Sequence, residues 1–163
     1  MAAQKNPDET DCRILSILQN EARTPIAEIA RQVGMAPSAV FERMRKLEQA
    51  GAIEGYEARL NPTALDRGLL AFVSVRLRNL NESFEVQAMI AAIPDVQEVH
   101  HVAGDDCFLL KVRVADTAAL DTLLRNRLGT ISAGLTTRTA FVLATAKETL
   151  RLPLGTGGRC SDE

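Results

Sequence analysis

A change of period in the apolar residues constrains this chain more than any other feature. Up to Leu47 they recur every three or four positions: Ile14, Leu15 and Leu18, then Ile26, Ile29, Ala30 and Val33, then Val40, Met44 and Leu47. That spacing lays an apolar stripe along one side of a helix. Beyond Asn61-Pro62 the pattern turns to alternation, with Val73, Val75 and Leu77 set against Ser74, Arg76 and Arg78, as in a half-buried strand. A chain whose period changes in this way needs two cores, and 163 residues are enough for two small domains.

The helical part is punctuated. Asp8 is placed to cap a helix running to about Ala22, with Asp11 three positions on as in a capping box. Thr24-Pro25 reads as a capping residue followed by proline at the first helical position, and Gly34 as the end of that second helix. Pro37 opens a third helix after a turn of about three residues, and Gly51 stops it. On a 100° wheel the side opposite Val40, Met44 and Leu47 carries Ser38, Glu42, Arg45 and Gln49, flanked by Ala39, Phe41 and Lys46. Ala52 to Leu60 is short and interrupted by Gly55, which suits a two-stranded hairpin, and Asn61-Pro62 marks a linker. Three helices with a tight Gly-containing turn and a hairpin make a winged helix-turn-helix. Its short turn lets one helix lie across a phosphate backbone while the next enters the major groove. A generic helical subdomain is the alternative.

The second part alternates. A strand over Phe72 to Arg78 is followed by a helix after Ser83, with Val86, Met89, Ile90 and Ile93 on it and Pro94 closing it. Val96 to Val102 and Phe108 to Val114 read as strands joined by a turn at Gly104-Asp105-Asp106. A helix from about Asp116 places Leu120, Leu123, Leu124 and Leu128 inward, and Leu135 to Thr145 is the last strand. The order β-α-β-β-α-β predicts a ferredoxin-like α+β domain. Helices would cover one face of its sheet, leaving the other solvated or paired with another subunit. The expected division is a DNA-binding domain over 1–60, a linker over 61–70, a ferredoxin-like domain over 71–154 and a flexible tail over 155–163.

Net charge argues against a nucleic-acid partner, since 19 Lys and Arg face 21 Asp and Glu. Residues 1–62 hold eight basic and nine acidic groups, so neither half of the chain is basic. The positive character is local: Arg43, Arg45 and Lys46 on the third helix, with Arg23 and Thr24 just before the second. Such a distribution predicts modest affinity per protomer, raised by multivalency. The longest apolar runs are far below the roughly 20 residues that span a bilayer, and the start of the chain has no apolar run leading to a small-residue cleavage site. A cytoplasmic, nucleoid-associated protein is expected, with no membrane partner. Cys12, Cys107 and Cys160 are odd in number and unrelated in spacing, and are expected to be reduced thiols.

Catalysis is not expected. A Gly-rich phosphate loop, paired catalytic carboxylates and metal-ligand spacing are all missing from the sequence. Cys107 with a nearby histidine is the one nucleophile and base combination. The same residues suggest a metal or redox switch using Cys107 and either His100 or His101. Successive strand residues point to opposite faces, so at most one of these histidines could join the thiol. No metal or cofactor is expected otherwise.

Three stretches carry a family likeness: Asp8-Glu9-Thr10-Asp11-Cys12-Arg13-Ile14-Leu15, Ile29 to Ser38, and Arg43 to Tyr56. Val102-Ala103-Gly104-Asp105-Asp106-Cys107-Phe108-Leu109-Leu110 and Leu152-Pro153-Leu154 extend it to about Leu154. This ordered set resembles the Lrp/AsnC transcription regulators. The resemblance implies a DNA-reading domain joined to a ferredoxin-like domain that senses a small amino acid, pairs sheet to sheet as a homodimer and commonly assembles into octamers. It implies that Ser38, Ala39, Glu42, Arg43, Arg45 and Lys46 lie in or beside the groove. The effector would meet Ala103, Gly104, Asp105, Asp106, Cys107, Thr136 and Thr137.

Two departures from the family pattern stand out. Ala36 replaces the usual serine at the start of the third helix, removing a side-chain cap and a phosphate contact. Cys107 replaces the usual aspartate of the sensor hairpin, and a thiol cannot pair with an ammonium group. A second reading is therefore an architectural DNA-binding protein whose C-terminal domain only oligomerises. Arg43, about 60° from the apolar stripe on the wheel, is alternatively a residue that pairs within the domain.

Overall fold

A computed structural model describes residues 7–104 and 107–154. These form two compact units: the chain up to Arg59 together with the stretch that begins at Glu148, and Leu60–Lys147. The stretch from Glu148 was expected within the second domain.

The first unit has helices α1 (Glu9–Asn20), α2 (Ile26–Val33) and α3 (Pro37–Gln49). The capping box is present: the Asp11 N–H donates to the Asp8 carboxylate at 2.9 Å, and the Asp8 N–H to the Asp11 carboxylate at 3.1 Å. Glu21 is already extended, so α1 stops short of Ala22. Thr24 does not cap α2. Its hydroxyl turns back to the Glu21 carbonyl at 2.7 Å, and Pro25 takes the cap position with its carbonyl accepting from Glu28 and Ile29. Gly34 adopts φ 71°, the left-handed conformation that lets the chain leave α2 and enter α3 within a few residues. The three stripes meet in one core of Ile14, Leu18, Ile29, Ala30, Val33 and Val40, with Met44 and Ile53 packed against it.

The expected hairpin is not formed, since residues 52–60 contain no strand. The chain leaves α3 through Gly51 at φ 71°, and residues 54–60 are exposed. An isolated two-stranded hairpin with no apolar face to bury is marginal at best, and this segment has none. The Tyr56 hydroxyl donates to Glu48 at 3.0 Å, and partial burial of that hydroxyl together with the carboxylate pushes the phenol up to about 12.

The last described stretch returns to α1. The Gln19 side chain binds both backbone groups of Leu152, accepting from its N–H at 2.7 Å and donating to its carbonyl at 3.2 Å. Arg151 donates to the Asn20 carbonyl at the end of α1 at 3.5 Å.

The second unit contains β1 (Leu69–Leu77), α4 (Ser83–Ala91), β2 (Val96–His101), β3 (Phe108–Val114), α5 (Thr117–Asn126) and β4 (Leu135–Phe141). The sheet order is β2-β3-β1-β4 with antiparallel neighbours, so the two later strands flank the first as in the ferredoxin-like arrangement. Asp116 caps α5 by accepting from the Ala119 N–H. β4 ends at Phe141 rather than Thr145: Ala71 pairs with Phe141, and the Val142 N–H to Leu70 bond is the last along that edge. On the helix side Val73, Val75, Phe108, Leu110 and Val112 are buried with Val86, Ile90, Leu120, Leu123 and Leu128. The other side presents Phe72, Ser74 and Arg76 from β1, in register with Lys111 and Leu109 of β3 and with Ala140, Arg138 and Thr136 of β4.

Cys107 is free and buried, whereas Cys12 is disulfide-bonded, which corrects the expectation of a reduced thiol there. No helix among the described residues is long and apolar enough to cross a membrane.

Candidate functional site

Burial of Val40 and Leu47 sets which way α3 faces and leaves Ser38, Glu42, Arg45 and Lys46 exposed, with Ala39 half-buried. Pro37 stands at the first helical position, and Ala36 at the N-cap offers no side-chain acceptor, as expected. Ser38 and Ala39 lie in this first turn, where backbone N–H groups and the helix dipole favour an anion. Arg23 is exposed in the connection to α2, next to Thr24.

The basic stripe is smaller than the residue count suggests. Arg43 is turned inward: its Nη1 donates to Asp8 and to Asp11, each at 2.7 Å. Both bonds hold the guanidinium in its charged form, raising its pKa further. At Asp8 burial opposes the charge, but the bonds from Arg43 and the Asp11 N–H outweigh it and lower the carboxyl below its usual value. Arg45 pairs with Glu42 at 2.8 Å, both half-exposed. For Lys46 no ion pair is found among the described residues.

In the second unit the β2-β3 connection is tied to β1. Val102 N–H donates to the Cys107 carbonyl at 3.0 Å, Cys107 N–H to the Val75 carbonyl at 2.8 Å, and Leu77 N–H to Cys107 Sγ at 3.4 Å. Gly104 has φ 126°, open to glycine and strained for other residues. Ala103 and Gly104 are exposed, and Asp105 and Asp106 lie outside the described residues. Cys107 is 7% exposed and belongs to the core, so its thiol faces neither solvent nor a groove.

Thr136 and Thr137 pair with Arg76 and Val75 on the other side of the same end of β1. With Ser74, Arg76 and Arg138 they line a shallow groove of about 210 Å³. Ser74, Arg76 and Arg138 were not among the expected effector residues. Their signal was the polar phase of the alternation in β1, but the pairing that sets Arg138 beside Ser74 could not be read from it. His100 bonds to Glu98 at 3.1 Å, and the His101 ring lies against Phe108 with centroids 5.3 Å apart. Among the described residues no cluster of three metal-ligating side chains occurs.

Two family models match. The AsnC-type helix-turn-helix domain covers residues 8–48, and the Lrp/AsnC ligand binding domain residues 70–152. The leucine-responsive regulatory protein of Salmonella typhimurium is 39% identical over 154 residues, spanning 93% of this chain and 94% of that protein. A transcriptional regulator from Neisseria meningitidis, solved as a complex with L-methionine, superposes with TM-score 0.84 at 30% identity over 90% of this chain and 96% of its own. The feast or famine regulatory protein of M. tuberculosis, complexed with L-methionine, gives 0.82 at 33% identity over 88% and 97%.

Proposed function

The chain belongs to the Lrp/AsnC family of transcriptional regulators, and from that premise we propose how it reads DNA and what controls it. It is a DNA-binding regulator with a ligand-binding domain, and not an enzyme. The exposed face of α3 enters the major groove: Ser38 and Ala39 approach the duplex with the first turn, Glu42 and Arg45 face base edges or phosphates, and Lys46 contacts the backbone. Arg23 and Thr24 meet phosphates beside α2. The helix-turn-helix match over residues 8–48 and the ligand-binding-domain match over residues 70–152 support this assignment of roles.

The effector is a small amino acid, as in the two L-methionine complexes of relatives. One observation above all supports this reading: at the end of β1, Val75 is flanked by Cys107, where the β2-β3 connection meets the sheet, and on its other side by Thr137 of the groove. Backbone groups of the connection need no carboxylate at position 107 to hold a zwitterion, and the groove adds hydroxyl and guanidinium donors suited to a carboxylate. Asp105 and Asp106 supply negative charge in the same connection. The open sheet face, with the partly exposed Phe72, pairs with a second copy, and the resulting homodimers assemble further, to the octamer that the family resemblance implies. The protein acts in the cytoplasm, on the nucleoid.

Thermal melting of the protein against each of the twenty amino acids tests the effector. Methionine or a similarly sized apolar amino acid should raise the melting temperature in proportion to the logarithm of its concentration, because a ligand of the native state stabilises by mass action. An unchanged melt with all twenty would leave only the architectural reading.

A further inference from the structure

We propose that Arg43 is a positioning residue for DNA reading, locking the rotation of α3 against α1 through Asp8 and Asp11, and is not itself a phosphate contact. Each carboxylate has two tasks. Asp8 accepts the Asp11 N–H on Oδ1 and Arg43 on Oδ2, while Asp11 accepts the Asp8 N–H on Oδ2 and Arg43 on Oδ1. The oxygens that hold the start of α1 therefore fix where the other two oxygens point. A single guanidinium nitrogen from the middle of α3 closes the arrangement.

Packing alone leaves α3 some freedom. Val40 and Leu47 are its buried side chains, and apolar contacts are not directional. Charge-assisted hydrogen bonds are short and directional, and these lie to one side of the apolar stripe, where they resist rotation about the helix axis. A small rotation would carry Ser38, Glu42 and Arg45 away from the base edges together, whereas phosphates would still be within reach of long basic side chains. The triad should therefore govern discrimination between sequences more than overall attraction.

The test uses the full chain and two duplexes of equal length: one enriched by the native protein from a randomised library, and one of scrambled sequence. Arg43→Met should lower the ratio of the two affinities about tenfold, the size of a mismatched base pair, with the salt dependence of binding to the scrambled duplex unchanged. Asp8→Asn with Asp11→Asn should lower the ratio likewise. Arg43→Lys should restore most of it, because one nitrogen makes both bonds. Retained binding to the scrambled duplex reports that the reading unit is folded; should Arg43→Met fail to fold, the Asn pair and the Lys variant carry the test. If Arg43 instead binds a phosphate, its removal lowers the salt slope by about 0.9, and the Asn pair, by releasing it, tightens binding to both duplexes. That result, or an unchanged ratio in all variants, overturns the proposal.

Discussion

Glu42 and Arg45 sit one turn apart on the exposed face of α3 and bond at 2.8 Å, with side chains about half accessible. An exposed pair of this kind contributes about 0–1 kcal/mol, so a phosphate oxygen can take Arg45 from its partner at little cost. Two substitutions should then act in opposite directions. Arg45→Ala with Lys46→Ala should weaken binding and flatten the dependence of affinity on salt, by about 0.9 in slope for each phosphate left without its cation. Glu42→Gln should strengthen binding to duplexes of any sequence, since it removes a like charge from the face that meets phosphate. Anisotropy titrations over a range of salt concentrations report both, and an unchanged slope in the double variant would count against α3 as the reading helix. The outward positions of these residues follow from the wheel, because Val40 and Leu47 decide the inward side. The partners of Arg43 do not, because they lie more than thirty positions upstream and the wheel describes one helix at a time.

Helices were legible because their signals are local. The Asp8 box, Gly34 and Pro37 each act within a turn, and each does so in the structure. Ala36 is the weak point in this series, as its side chain accepts nothing at the start of α3. Ala36→Ser should stabilise the first unit by about 0.5–2 kcal/mol, visible as a calorimetric transition a few degrees higher. An unmoved transition would mean that the backbone at position 36 cannot present the hydroxyl to the first turn. Thr24 and the segment 52–60 show where local signals mislead. The Thr24 hydroxyl found the nearer Glu21 carbonyl, and residues 52–60 form no ladder with any of the described residues.

Over the whole molecule, the first unit is assembled from stretches more than a hundred positions apart. Gln19 grips the backbone of Leu152 from both sides, and Arg151 reaches the last turn of α1. A chain ended after Lys147 should lose hydrogen-exchange protection in the C-terminal half of α1, while amides of β1 and β3 keep theirs. Equal protection throughout would show that the returning stretch adds nothing to α1. Each bond is worth about 0.5–1.5 kcal/mol at most, so the effect is a local opening and not loss of the unit.

The order of elements, the two cores and the outward face of α3 are written in the chain itself. They follow from periods of 3.6 and two and from capping residues, which act over a few positions. Folding in three dimensions added what no local pattern holds: Arg43 is spent on Asp8 and Asp11, the Cys107 thiol faces the core, Ser74, Arg76 and Arg138 join Thr136 and Thr137 in one groove, and the residues after Glu148 belong with α1. Each of these is a pairing between distant positions. Sequence pattern specifies which side of an element is buried, whereas the partner on that side is set by how elements pack and register against one another.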